Sequence, residues 1–264
     1  MAAEAGHMAI IKELVEGAVG TTGVDLDPAL LAAAGKHNRQ VVAWLLRARA
    51  EPRLQNTRGA GALVLAAEKG DLEEVRLLLD GRAQPDLRDR NGKDALIHMI
   101  ESNNCSPEIV RDLISRRASA TTTDRFGSSA VREAAKRGVL GVVEVLLDGR
   151  ADPNNMDSRF GVTALMRAAE CGLSGPAFSV SQGPDEFLEV AEALLAAHAD
   201  VNHQDFQGRS ALMQAGFVER DDIVELLLGA RADVHLQDKW GDTALSQAQD
   251  SNITTILEGL KQWE

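Results

Sequence analysis

One phrase recurs along this chain at a nearly constant interval, and that interval restricts the fold more than any other property of the sequence. "LLDGRADPNNMDSRFGVTALMRA" occupies residues 146–168, and "LLLGARADVHLQDKWGDTALSQA" occupies residues 226–248. With the apolar residue of the "AL" step as anchor, copies fall at Leu30, Leu63, Leu96, Val131, Leu165, Leu212 and Leu245, spaced 33, 33, 35, 34, 47 and 33 residues apart. The 35 reflects "NNCSPE" (103–108), the 34 one extra residue near "PNNMDS" (153–158), and the 47 a 14-residue excess in "LSGPAFSVSQGPDE" (173–186). Self-similarity at about 33 residues means one supersecondary unit per copy, and such a unit buries its apolar face only against its neighbours. The expected architecture is a stack, with no single central core.

Each copy reads as two helices and a turn. The first helix starts at the "TAL"-type step, where Thr163 and Thr243 can accept an orphan N–H and where Asp27-Pro28 supplies a cap and a first-turn proline. Small residues follow in "LAAEKG" (65–70), "EAAKRG" (133–138) and "RAAECG" (167–172), so neighbouring helices can approach closely before the glycine ends the helix. The second helix carries apolar residues at helical spacing, as in Val41, Val42, Leu45, Leu46 or Ile223, Val224, Leu227, Leu228. A polar turn such as "QDKWGD" (237–242) leads into the next copy.

Composition agrees and excludes several classes. Only 3% of the 264 residues are aromatic and none is Tyr, so the core must come from Leu, Val, Ile and Ala, which suits close helix packing. A formal net charge of −12 opposes binding to phosphate backbones. Cys105 and Cys171 are too few for a disulfide framework and are not spaced as a metal knuckle. The start "MAAEAGHMAIIKELVEG" lacks the basic and apolar regions of a signal peptide, and no apolar run approaches the length of a membrane span. We therefore expect an intracellular, cytoplasmic protein without membrane insertion. No phosphate loop, zinc-protease or nucleophile-elbow motif occurs; "GAVGTTG" (17–23) reads as a linker, and the six histidines are scattered over different copies. No catalytic residue, cofactor, metal ion or small-molecule substrate is expected.

These copies resemble the ankyrin repeat, whose pattern runs Asp-x-x-Gly-x-Thr-Pro-Leu-His, Ala-Ala-x-x-Gly-His, Val-Val-x-x-Leu-Leu and Gly-Ala-Asp-Val-Asn. The resemblance implies an all-α solenoid of stacked helix-turn-helix repeats with short β-hairpin-like turns, as a single domain over 1–264. A half repeat at 2–24 would precede repeats at about 25–55, 56–88, 89–122, 123–156, 157–204 (with the insertion at 173–186), 205–237 and 238–264. Three departures stand out. The family's Pro is Ala at Ala62, Ala95, Ala130, Ala164, Ala211 and Ala244, and its His is absent, so each first helix is expected to lose some rigidity and cap hydrogen bonding. Lys261 replaces the second Leu of the last second helix, as a C-terminal cap would. The family's Gly after the second helix is Arg49, Arg82, Arg117, Arg150, His198 and Arg231. That Gly ordinarily adopts left-handed geometry, at a cost to other residues of about 1 kcal/mol. The helix dipole, or a turn reorganised around Gly81 or Gly149, explains the cations more simply than a guanidinium ladder docking an anionic surface.

In the resembled family the face made by turn tips and first helices binds partner proteins. Here the two residues before the turn glycine are Thr57-Arg58, Arg90-Asn91, Arg125-Phe126, Arg159-Phe160, Phe206-Gln207 and Lys239-Trp240, with Arg88, Lys93 and Arg209 beside them. Bases and aromatics are residue types that dominate interface energetics. Arg58, Arg90, Lys93, Arg125, Phe126, Arg159, Phe160, Phe206, Arg209, Lys239 and Trp240 are accordingly the expected partner-binding set, gripping an acidic segment. Asp89, Asp124, Asp205 and Asp238 are expected to hold the turns. Acidic residues of the second helices, Glu73, Glu74, Asp80, Glu144, Glu189, Glu192, Asp221, Asp222 and Glu225, read as a solvated face. The expected function is that of a non-catalytic scaffold or adaptor. The alternatives are a regulatory or targeting segment of a larger enzyme, permitted by the mid-motif start, and a nucleotide-stacking array on Phe126, Phe160 and Trp240, opposed by the net charge.

Overall fold

The computed structural model describes residues 25–170, 184–248 and 251–260. The half repeat 2–24, "GAVGTTG", Cys171, most of the 173–186 insertion and Lys261 lie outside those residues. Helices come in pairs, as the period requires, and group into two compact units, Met1–Arg125 and Phe126–Glu264. In the first unit the pairs are α1 (Asp27–Gly35) with α2 (Arg39–Arg47), α3 (Ala62–Lys69) with α4 (Leu72–Asp80), and α5 (Ala95–Glu101) with α6 (Pro107–Ser115). In the second they are α7 (Ala130–Lys136) with α8 (Leu140–Asp148), α9 (Ala164–Glu170) with α10 (Pro184–Ala196), α11 (Ala211–Phe217) with α12 (Asp221–Gly229), and α13 (Ala244–Gln247) with α14 (Ser251–Leu260). Among the described residues there is no strand; one antiparallel bridge, Gln55 to Gly61, closes the turn before α3.

Stacking follows helix order within each unit. First helices pack α1 on α3 on α5, and α7 on α9 on α11 on α13; second helices pack α2 on α4, and α8 on α10 on α12 on α14. The small-residue steps let this happen: Ala33-Ala34, Ala66-Ala67, Ala134-Ala135 and Ala168-Ala169 are all fully buried. Each second helix contributes its apolar stripe, as with Val41, Val42 and Leu45, or Ile223, Val224 and Leu227. Burying one such branched side chain gains about 1.5–3 kcal/mol, so stability accumulates repeat by repeat.

The helix starts depart from the expectation of weakened caps. The family's Pro position is the first helical residue in α3, α5, α7, α9, α11 and α13. Five of these six helices nevertheless have a side-chain cap, from Asp94, Ser129, Thr163, Ser210 and Thr243. The position of the missing His is filled by buried Val64, Ile97, Met166 and Met213, which add apolar contact. Asp27 is not a cap: it lies inside α1, and its carboxylate accepts the Glu51 N–H at 2.6 Å, tying the turn after α2 back to the start of the repeat. The insertion also ends earlier than expected, because Pro184, Asp185 and Glu186 form the first turn of α10, which runs 13 residues against nine in α8 and α12.

The turns after the second helices settle the arginine row. Arg49, Arg82, Arg117, Arg150, His198 and Arg231 all have φ between 64° and 75°, so the left-handed turn is retained without glycine. It is not reorganised one residue earlier, since Gly81 and Gly149 have φ of −74° and −73°. Gly81 is small for another reason: a Cβ there would lie 2.6 Å from Leu46 Cδ2 of the preceding repeat.

One acidic residue is misplaced by the solvated-face expectation. Glu74 is fully buried on α4, and neither carboxylate oxygen has a hydrogen-bond partner among the described residues. Its nearest cationic candidate is His37, whose Nδ1 lies 4.0 Å away.

Candidate functional site

The turn tips are built by one repeated device. Asp89 Oδ1 accepts the N–H groups of Asn91 and Lys93 at 2.8 and 2.9 Å. Asp205 does the same for Gln207 and Arg209, and Asp238 for Trp240 and Asp242. Two members of the set escaped sequence inspection. Asn56 is an amide in the same place, and Asp157 is displaced one residue by the extra residue of its turn. The following glycine then takes φ of 73–83° at the tips. At Gly161 the missing side chain has a second use, because the Phe206 ring of the next repeat fills the space within 2.7 Å of where a Cβ would stand.

Neighbouring tips are joined through their backbones. In the first unit the Arg90 N–H donates to the Arg58 carbonyl and the Arg125 N–H to the Asn91 carbonyl, both at 2.9 Å. In the second unit Ser158 donates to Phe126, Phe206 to Phe160 and Lys239 to Gln207, all at 2.8 Å. The side chains before each glycine therefore form rows whose spacing is held by main-chain bonds.

Most of the tip bases are engaged within the chain. Arg58 forms a forked pair with Glu68 on α3 and holds that carboxyl below its ordinary range. Lys93 pairs with Glu101 on α5, and Arg209 closes on Asp205 with two hydrogen bonds. The Arg159 guanidinium lies 3.3 Å from the centre of the half-buried Phe126 ring, a cation–π stack that occupies both residues. Arg125 is exposed. Arg90 and Lys239 are exposed and have no ion pair among the described residues.

The aromatic residues are distributed differently. Phe160, Phe206 and Trp240 are 55%, 45% and 68% exposed on tips of the second unit. Phe217, at the end of α11, is 61% exposed and was not anticipated. Its repeat register is that of Glu68 and Glu101, which reach their own tips through Arg58 and Lys93; Phe217 thus stands on the tip side of its helix. Apart from Leu54, every large apolar side chain exposed among the described residues belongs to the second unit. Charge divides along the same line. The first unit has 17 Lys and Arg against 18 Asp and Glu, a net of −1, and the second has 11 against 22, a net of −11.

Among the described residues, chemistry-bearing side chains do not gather into a metal-binding group: no three His, Cys, Asp or Glu groups are placed to hold a metal ion, and no helix is long and apolar enough to cross a membrane. His98 donates to Asp89 and His203 to the Gly161 carbonyl, so both serve the turns. Cys105 is half-buried after α5.

The family model for three copies of ankyrin repeats matches residues 29–124 and 98–175, and the single ankyrin repeat model matches 207–239. The chain belongs to the ankyrin repeat family. Among solved structures it is similar to the ankyrin repeat domain of Bcl-3, described as a unique member of the IkappaB protein family. That likeness has 27% identity and a TM-score of 0.70 over 89% of this chain and 100% of the other. No curated protein matches it. The ankyrin repeats support a role in protein–protein interaction.

Proposed function

We propose that this ankyrin repeat chain is a non-catalytic scaffold or adaptor working as one array, with the second unit taking a partner on its tip side. The observation that carries this reading is the exposed aromatic row Phe160, Phe206 and Trp240, joined by Phe217. Rigid aromatic anchors supply large contact area at small entropic cost, and exposing them to water is unfavourable unless a partner covers them. The Arg159–Phe126 stack and the Arg209–Asp205 pair act as fixed walls of that surface. Arg90 and Lys239 are the tip cations still available to an acidic segment of a partner. A cytoplasmic setting fits the half-buried thiol of Cys105.

The test is partner capture from native extract by the wild type and by a Phe160→Ala, Phe206→Ala, Trp240→Ala variant. Capture by the variant should fall about ten-fold or more, with helicity and thermal midpoint unchanged. Equal capture by both proteins would overturn the reading.

A further inference from the structure

In the first unit the second helices α2, α4 and α6 are each followed by an arginine in left-handed geometry, with φ of 68° at Arg49, 64° at Arg82 and 75° at Arg117. All three are exposed; their backbone N–H groups close the helix ends, and none of their side chains has a hydrogen bond or ion pair among the described residues. Their neighbours differ. Arg53 pairs with Glu51 at 2.9 Å, Arg76 with Glu73 and Asp112 at 3.4 Å, and Arg116 with Asp80 at 2.7 Å. The edge carboxylates are thus committed elsewhere, Asp86 included, which accepts the Ser119 N–H at 3.1 Å.

Two contacts put the three arginines in register. Gly81 packs against Leu46, bringing the ends of α2 and α4 together, and the Ser119–Asp86 bond ties the turn after α6 to the turn after α4. The row therefore steps by one repeat, about 10 Å, the spacing of packed helices. The helix dipole does not explain its placement. A base inside the last helical turn would meet the same dipole without a positive φ, and the last turns of α4 and α6 contain none. Among the described residues, the other left-handed positions of this unit are held by Gly59, Gly70 and Gly92 and by His37, so arginine in that geometry is specific to this edge.

We propose that Arg49, Arg82 and Arg117 form a docking row for an acidic protein segment whose carboxylates are spaced about one repeat apart. Planar guanidinium groups engage carboxylates through paired hydrogen bonds, and a row without internal counter-ions does not have to break an ion pair first. A nucleic acid fits less well: its charges recur about every 1.7 Å, so steps of a repeat leave most phosphates uncompensated against a chain of net charge −12. The proposal is independent of the aromatic tip reading, since the two surfaces lie in different units and fail separately.

The experiment measures binding of labelled poly-L-glutamate to the full chain by anisotropy, at about 50 and 300 mM NaCl. Wild type should bind at low salt and weaken steeply at high salt. An Arg49→Gly, Arg82→Gly, Arg117→Gly variant should bind about ten-fold or more weakly with an equal or higher thermal midpoint, since glycine relieves the backbone. The matched variant of the second unit, Arg150→Gly, His198→Gly, Arg231→Gly, should bind as the wild type does. The proposal is overturned by wild-type failure to bind, by unchanged binding in the first variant, by equal loss in the second, or by tighter binding of a duplex oligonucleotide than of polyglutamate.

Discussion

Glu74 occupies a position that five other repeats give to fully buried Val41, Ile109, Val142, Val190 and Ile223. Burial pushes its carboxyl up from 4.5 to about 7, with Asp71 adding to the effect and Arg39 opposing it. The folded chain thus holds this proton to higher pH than the unfolded chain does. The associated stability is complete below the unfolded value and is lost as pH rises through the folded one. Glu74→Val should stabilise the protein by about 3 kcal/mol at pH 8, a gain that shrinks toward pH 4.5; urea unfolding at the two pH values checks it. At the turn after α8, Arg150→Gly should add about 1 kcal/mol by relieving a φ of 66°, visible as a rise in thermal midpoint. Gly161→Ala should have the opposite sign, losing about 1–3 kcal/mol, because strain at φ 73° adds to the collision with Phe206.

At the scale of elements, the cap of α5 also holds the turn that follows α6. Asp94 accepts the Ile97 N–H with one carboxylate oxygen and the Thr122 hydroxyl with the other. Asp94→Ala should therefore cost more than an isolated cap, about 2–3 kcal/mol against about 1 kcal/mol for Ser210→Ala; chemical denaturation of both variants tests the difference. The "TAL" step made the caps of α9 and α13 legible in the sequence, since a cap and the N–H it accepts are only three residues apart. The Asp94–Thr122 bond was not legible, because its partners are separated by nearly a whole repeat. Asp27 misled for the same reason: Asp-Pro is a good local cap signal, but Glu51 24 residues on claims the carboxylate.

For the whole molecule, nearly all of the net negative charge resides in the second unit. Self-repulsion in a unit of net −11 is relieved by salt, whereas a unit of net −1 has little to relieve. Raising NaCl from about 20 to 300 mM should lift the thermal midpoint of residues 126–264 and leave that of residues 1–125 nearly unchanged. Equal shifts in the two fragments would show that local ion pairs, and not net charge, govern the response. This division was present in the sequence, yet composition taken over the full length hid it until packing separated the units.

By itself the sequence determined the period, the two-helix repeat, the family and the place of the tip glycines. These depend on residues a few places apart along one chain, where backbone geometry and apolar spacing are set. Tertiary structure alone decided which tip cations are free, which aromatics face water, and that Glu74 is buried while Glu73 beside it is exposed. The Arg159–Phe126 stack and the surroundings of Glu74 depend on residues about one repeat away that meet only when the repeats stack. The pairs of Arg58 and Lys93 form only once turn and helix are folded against each other, and that of Arg209 once its turn has closed.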